Sequence, residues 1–166
     1  MKSKIVVACA LGFVFAAAAS AQNKISGTVS CGAPDPAYSV EAGDRPGHTL
    51  SLTKSSCTWS TPMQIEGEKT KEGSDVTSGD ASGEKSRSIG YHVSTMTNGD
   101  KIFVHYTGTD VMSKDGKPVS TSGTWSFSGG TGKLKVIAGK GTYKGKADGG
   151  NMPVEVEGEY TLPAKK

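Results

Sequence analysis

Two dipeptides, Asn98-Gly99 and Asp115-Gly116, constrain this chain more than any other feature, because each sits between runs in which apolar and polar residues alternate. Alternation at period two marks a half-buried strand. Both central residues of a type I′ hairpin turn need positive φ, which Asn-Gly and Asp-Gly supply. Three consecutive antiparallel strands are therefore expected between Lys85 and Phe127. Pairing Thr97 with Asp100 sets Val93 opposite Val104, Tyr91 opposite Tyr106 and Arg87 opposite Asp110. Pairing Lys114 with Lys117 sets Met112 opposite Val119, Tyr106 opposite Trp125 and Val104 opposite Phe127. Both turns put Val104, Tyr106, Asp110 and Met112 on one side. A slip of one residue would invert a strand, so the agreement predicts an inner wall of Arg87, Ile89, Tyr91, Val93, Ile102, Val104, Tyr106, Asp110, Trp125 and Phe127.

A third hairpin is expected around Asp148 to Asn151, pairing Ala147 with Met152, Tyr143 with Val156, Lys144 with Glu155 and Lys140 with Glu159. Opposite charges across the ladder then account for the lysines of this region. Fainter strands are expected over Lys24 to Cys31, His48 to Thr53, Pro62 to Lys69 and Asp75 to Ser82. Gly32 to Gly47, with Pro34, Pro36 and Pro46, reads as a long structural loop tied back by a disulfide, with a lid over one barrel end as the alternative. Seven to nine strands suit an all-β fold, a small antiparallel β-barrel of about eight strands, whose interior is filled by side chains or holds one small ligand.

Residues 1–21 read as a secretory signal peptide: Lys2 and Lys4, an apolar run from Ile5 to Ala18, and Ala19-Ser20-Ala21 at the cleavage site. Residues 22–166 then form a single domain, exported to the periplasm or beyond, with no permanent membrane span. Cys9 falls in the discarded segment. Cleavage lowers the formal charge of +3 to +1, since two of 19 basic residues are lost against 16 acidic ones. Nothing in that balance provides the basic footprint of a nucleic-acid binder. Cys31 and Cys57 remain, an even pair that an oxidising compartment joins as a disulfide. The alternative is a nucleophilic thiol with His92 or His105 as its base.

Several candidate chemistries fail on spacing. His92 and His105 are expected to face each other on the outer side without a third ligand, and zinc needs three or four, so no metal is expected. Glu66, Glu68, Glu155, Glu157 and Glu159 alternate outward, whereas glycoside hydrolysis needs two converging carboxylates. The glycine-rich stretch from Ser128 to Gly145 has Gly132-Lys133 followed by Leu134, and neither P-loop nor dinucleotide spacing. No cofactor is expected. Arg87 and Asp110 are expected at the barrel mouth, as a rim salt bridge, as the anchor for a polar head group or as an acid/base pair.

That stretch, "FSGGTGKLKVIAGKG" from Phe127 to Gly141, resembles the Gly-Gly-Thr-Gly-Lys motif of dirigent proteins and allene oxide cyclases. On physical grounds, Gly129, Gly130 and Gly132 allow positive φ, after which Leu134, Val136 or Ile137 can plug one barrel end. The resemblance implies an eight-stranded barrel with a hydrophobic cavity and a homotrimer. On function it implies an exported, non-enzymatic barrel that binds or shields a small apolar ligand. An isomerase, cyclase or stereo-directing protein and a purely structural barrel with a filled core remain as alternatives.

Overall fold

A computed structural model describes residues 22–163; the segment expected to be a signal peptide, Cys9 included, lies outside the described residues. Ten strands follow one another: β1 (Asn23–Cys31), β2 (Ala37–Glu41), β3 (His48–Thr61), β4 (Gln64–Ile65), β5 (Glu68–Ser82), β6 (Lys85–Met96), β7 (Lys101–Met112), β8 (Pro118–Gly130), β9 (Ala138–Lys146) and β10 (Val154–Thr161), with one 3₁₀ turn at Gly132–Leu134. Eight of them, β1, β3, β5, β6, β7, β8, β9 and β10, close into an antiparallel barrel; β2 lies on β3 and β4 on β5.

The register shows how the ring closes. From Thr49 of β3 the inward positions run through Ala81, Ser86, Asp110, Thr121, Gly145, Val154 and Val29, and return to β3 at Trp59. A closed barrel requires such a stagger, because its strands tilt relative to the axis. Closure also leaves every barrel strand flanked on both sides, which removes the unpaired edges that promote aggregation.

One end of the barrel is apolar and plugged. The hairpin around β4 brings in Met63 and Ile65, and the turn after β8 brings in Leu134 and Ile137. They pack with Ile25, Met96, Ile102, Val104, Trp125 and Tyr160, each no more than 9% exposed. The plug expected of the glycine stretch is thus made by Leu134 and Ile137, while Val136 stays outside at 60% exposure. Gly129 and Gly132 take positive φ, 134° and 50°, so the chain can turn from β8 into the plug without steric cost.

The sulfurs of Cys31 and Cys57 are 2.01 Å apart in a disulfide across β1 and β3. The third hairpin pairs as expected: Tyr143 faces Val156, Lys144 faces Glu155 and Lys140 faces Glu159. Lys144 Nζ lies 3.2 Å from Glu155.

Two expectations in the first half of the domain need correction. Gly32 to Gly47 is not a plain loop, since β2 forms within it and pairs with β3 from Ala37↔Thr53 to Glu41↔Thr49. The prolines and glycines frame this strand rather than exclude it. Pro62 to Lys69 is not one strand either. It folds as a tight hairpin in which Glu66 and Gly67 both have positive φ, 51° and 84°.

Candidate functional site

The interior beyond the plug is polar, and β6 decides its chemistry. The turn after β6 is not a two-residue type I′ loop. Met96 N–H donates to Asp100 O at 2.8 Å, and Gly99 N–H donates to Met96 O at 3.0 Å. Thr97, Asn98 and Gly99 therefore form a three-residue loop with Gly99 left-handed at φ 88°, a common hairpin alternative. Asn98 stabilises it by accepting from Asp100 N–H through its side chain.

The extra loop residue moves β6 by one position against β7. Tyr91 faces His105, Val93 faces Phe103 and Arg87 faces Thr109. Four expected wall residues thus point outward: Arg87, Ile89, Tyr91 and Val93. Ile89 is 53% exposed and Tyr91 57%. The Arg87–Asp110 pair does not form, because Ser86 stands opposite Asp110. The other side of the wall is as expected, with Val104 opposite Phe127 and Tyr106 opposite Trp125.

The same slip turns His92 inward. It is buried rather than on the surface, while His105 stays outside against the Tyr91 ring at 5.0 Å between centroids. The inner face of β6 is then Ser86, Ser88, Gly90, His92, Ser94 and Met96. Across from it, β5 presents Asp75 and Thr77.

These groups form one hydrogen-bonded cluster. Thr77 Oγ1 and Tyr106 Oη donate to Asp75 Oδ2 at 2.6 and 2.7 Å, and His92 Nδ1 donates to Oδ1 at 3.3 Å. Burial alone would raise the Asp75 carboxyl, but the donors from His92, Thr77 and Tyr106 outweigh it and hold the group below the ordinary value. Burial, reinforced by the Asp75 charge, pushes the Tyr106 phenol up. At neutral pH the cluster is a carboxylate beneath a neutral phenol.

On the far side of the imidazole, Ser94 Oγ donates to His92 Nε2 at 2.9 Å and accepts from Trp59 Nε1 at 3.1 Å. Asp75, His92 and Ser94 thus stand in the order of a hydrolase triad. Ser94 is fully buried, so no substrate carbonyl reaches its oxygen. The arrangement is a structural relay between β3, β5 and β6. The sulfurs of Cys31 and Cys57 and an imidazole nitrogen of His92 lie within 4.8 Å of one another. The disulfide withholds the thiolates that a zinc ion or a nucleophilic role would need.

Inward rings are matched to inward glycines. Tyr106 lies against Gly90, and Tyr143 lies against Gly108 and Gly123, so closely that a Cβ at any of the three would overlap the phenol. Trp59 covers Gly27, His92 covers Gly73 and Phe127 covers Gly139 in the same manner. Tyr143 ends this series with its hydroxyl buried, lying beside Ser88 and Thr121 without a well-formed hydrogen bond to either. Burial pushes its phenol up against the lowering effect of Ser88 and Thr121, so it stays protonated on the inner wall. Around it Thr77, Asp110, Thr121 and Val154 are only part-buried, although they face inward. Solvent reaches this half of the barrel.

Sequence reasoning missed Asp75, Thr77, His92 and Tyr143 as interior groups. The available signal was the alternation Gly73-x-Asp75-x-Thr77-x-Gly79, in which small and polar residues share the face that a neighbouring strand fills with rings.

A separate concavity of about 540 Å³ lies outside, over β7, β8 and β9, between His105, Thr107, Thr124, Ser126, Lys140 and Thr142. Among the described residues no helix is long and apolar enough to cross a membrane. No model of a known protein family matches the chain. A search of curated proteins finds no significant relative.

Proposed function

We propose that this is an exported, non-enzymatic barrel that binds or shields a small, mostly apolar molecule carrying one hydrogen-bond acceptor. The observation that carries this reading is the part-buried inner wall beyond the plug, where Thr77, Asp110, Thr121 and Val154 face inward around the Tyr143 ring. An acceptor on a ligand that opened the packing over the Tyr143 hydroxyl would gain a hydrogen bond of about 0.5–1.5 kcal/mol. Tyr106 and Val154 offer apolar surface nearby, and the plug at the opposite end leaves one way in. The Gly-Gly-Thr-Gly-Lys turn and the closed barrel are consistent with the allene oxide cyclase and dirigent resemblance, which brings the same class of ligand.

Catalysis by a cyclase or isomerase is the weaker reading. Asp75 already accepts from three side chains and is held ionised, so it has little capacity left to take a substrate proton. A ligand-free structural barrel gains support from the apolar half, which its own side chains fill.

Titration of the protein with phenols and medium-chain fatty acids, followed by native mass spectrometry and tryptophan fluorescence, separates these readings. Saturable binding that Tyr143→Phe weakens by about tenfold supports the proposal. Absence of binding across both classes favours the structural barrel. Turnover of a supplied unstable epoxide into a single enantiomer favours the cyclase.

A further inference from the structure

The outer face of the barrel is not uniform. Tyr38 and Val40 of β2 stand opposite Leu52 and Leu50 of β3. Leu52 leads across Ser78 to Ile89, and Lys54 leads across Val76 to Tyr91. Seven large apolar side chains thus share one side of four adjacent strands. Tyr38, Val40, Leu52, Ile89 and Tyr91 are each more than half exposed, Leu50 is 44% and Val76 38% exposed. Scattered apolar residues are ordinary on a surface, but a contiguous patch of this extent marks an interaction site.

We infer that this face of β2, β3, β5 and β6 docks a second copy of the same chain. Its size fits. The seven side chains expose on the order of 700 Å², close to the roughly 800 Å² that each partner contributes to a stable interface. Its charges fit as well. Asp80 lies in the Leu50 row with Arg87 beside it, and Lys54 adjoins Val76. Mixed signs on one patch are self-complementary across a two-fold axis, where each residue meets its counterpart's neighbour. A surface built for an anionic bilayer would carry cations alone.

β2 adds a third reason. It is bonded only to β3 and all five of its residues are exposed. Packing face to face covers its outer side, where Tyr38 and Val40 continue the apolar surface of Leu52 and Leu50. Sheets packed in this way stack about 10 Å apart with their side chains interdigitated.

The test is the mass of the mature chain by light scattering and sedimentation velocity across the micromolar range. The inference expects twice the chain mass. Leu52→Glu and Tyr91→Glu, on different strands and both facing solvent in the single chain, are each expected to raise the dimer dissociation constant by at least about 100-fold, because each buries an unpaired charge. Their far-UV circular dichroism should match that of the parent chain. A single-chain mass throughout, the three-chain mass that the dirigent and allene oxide cyclase resemblance implies, or a dimer whose dissociation constant neither substitution moves, overturns it. Association seen only with vesicles of phosphatidylethanolamine and phosphatidylglycerol also overturns it, in favour of a lipid surface.

Discussion

Asp75 accepts hydrogen bonds from three side chains on three different strands, Thr77 on β5, His92 on β6 and Tyr106 on β7. Removing one donor leaves the carboxylate under-satisfied in a mostly buried place, so Tyr106→Phe should cost about 1–3 kcal/mol by urea unfolding. The pH dependence follows from the direction of the shift. A carboxyl held below 3.8 in the folded chain stabilises it above that value, and the contribution is lost as the pH falls through the lowered value. Asp75→Asn should therefore flatten the acid limb of a plot of thermal midpoint against pH. His48 acts with the opposite sign. Hydrogen bonds to Asp44 and then Asp80 raise it above 6.5, so its contribution is complete below 6.5 and is lost as the pH rises through the raised value. His48→Gln should remove that decline without touching the acid limb.

At the scale of elements, the two turns that looked most alike in the sequence fold alike and yet set different registers. Both are three-residue loops: after β6 Met96 N–H donates to Asp100 O and Gly99 N–H to Met96 O, and after β7 Ser113 N–H donates to Lys117 O and Gly116 N–H to Ser113 O. A bulge between Val111 and Met112 restores the expected register after the second turn, so Tyr106 still faces Trp125 while Met112 faces Pro118 rather than Val119. No such bulge follows the first turn, and β6 stays shifted, with His92 against Gly73 and Ser94 under Trp59. The barrel class, its strand order over the last three hairpins and its plug were therefore legible, while one face of one strand was not. That face holds most of the candidate site. β2 was hidden for a different reason: its five residues, Ala37 to Glu41, are too few to display a period among the prolines and glycines beside them. The hairpin at Glu66-Gly67 shows the converse, a tight turn carried by a residue poorly suited to it. Glu66 has a left-handed φ of 51°, which a side chain with a Cβ and no local hydrogen bond disfavours. Asn at this position is the preferred partner of a following glycine. Glu66→Asn should stabilise the protein by about 0.5–1 kcal/mol in chemical denaturation, through relief of that conformation.

The whole molecule is held at its two ends by different means. The apolar end depends on packing, and Leu134 is its centre at 3% exposure. Leu134→Ala should cost about 2–5 kcal/mol, measured by thermal unfolding, because the rigid turn around it cannot collapse into the space. The polar end has little apolar burial and relies on the bond between Cys31 and Cys57, which are 26 residues apart. Substituting both by Ser should cost roughly 3–4 kcal/mol on the chain-entropy account. The loss should appear as faster exchange of amide protons in β2 and the end of β1, with the plug still protected.

The pairing of rings with glycines carries a consequence for how this interior can change. Space on the inner wall is assigned to a strand but occupied by its neighbour, so neither partner is free to vary alone. Gly90→Ala should be poorly tolerated beside Tyr106 and better tolerated with Tyr106→Val, the double variant lying closer to the parent than the two single losses add up to. A lineage reshaping this barrel for another ligand would have to exchange such residues two at a time. Coupled substitution across neighbouring strands, rather than drift at single positions, is the pattern its descendants should record.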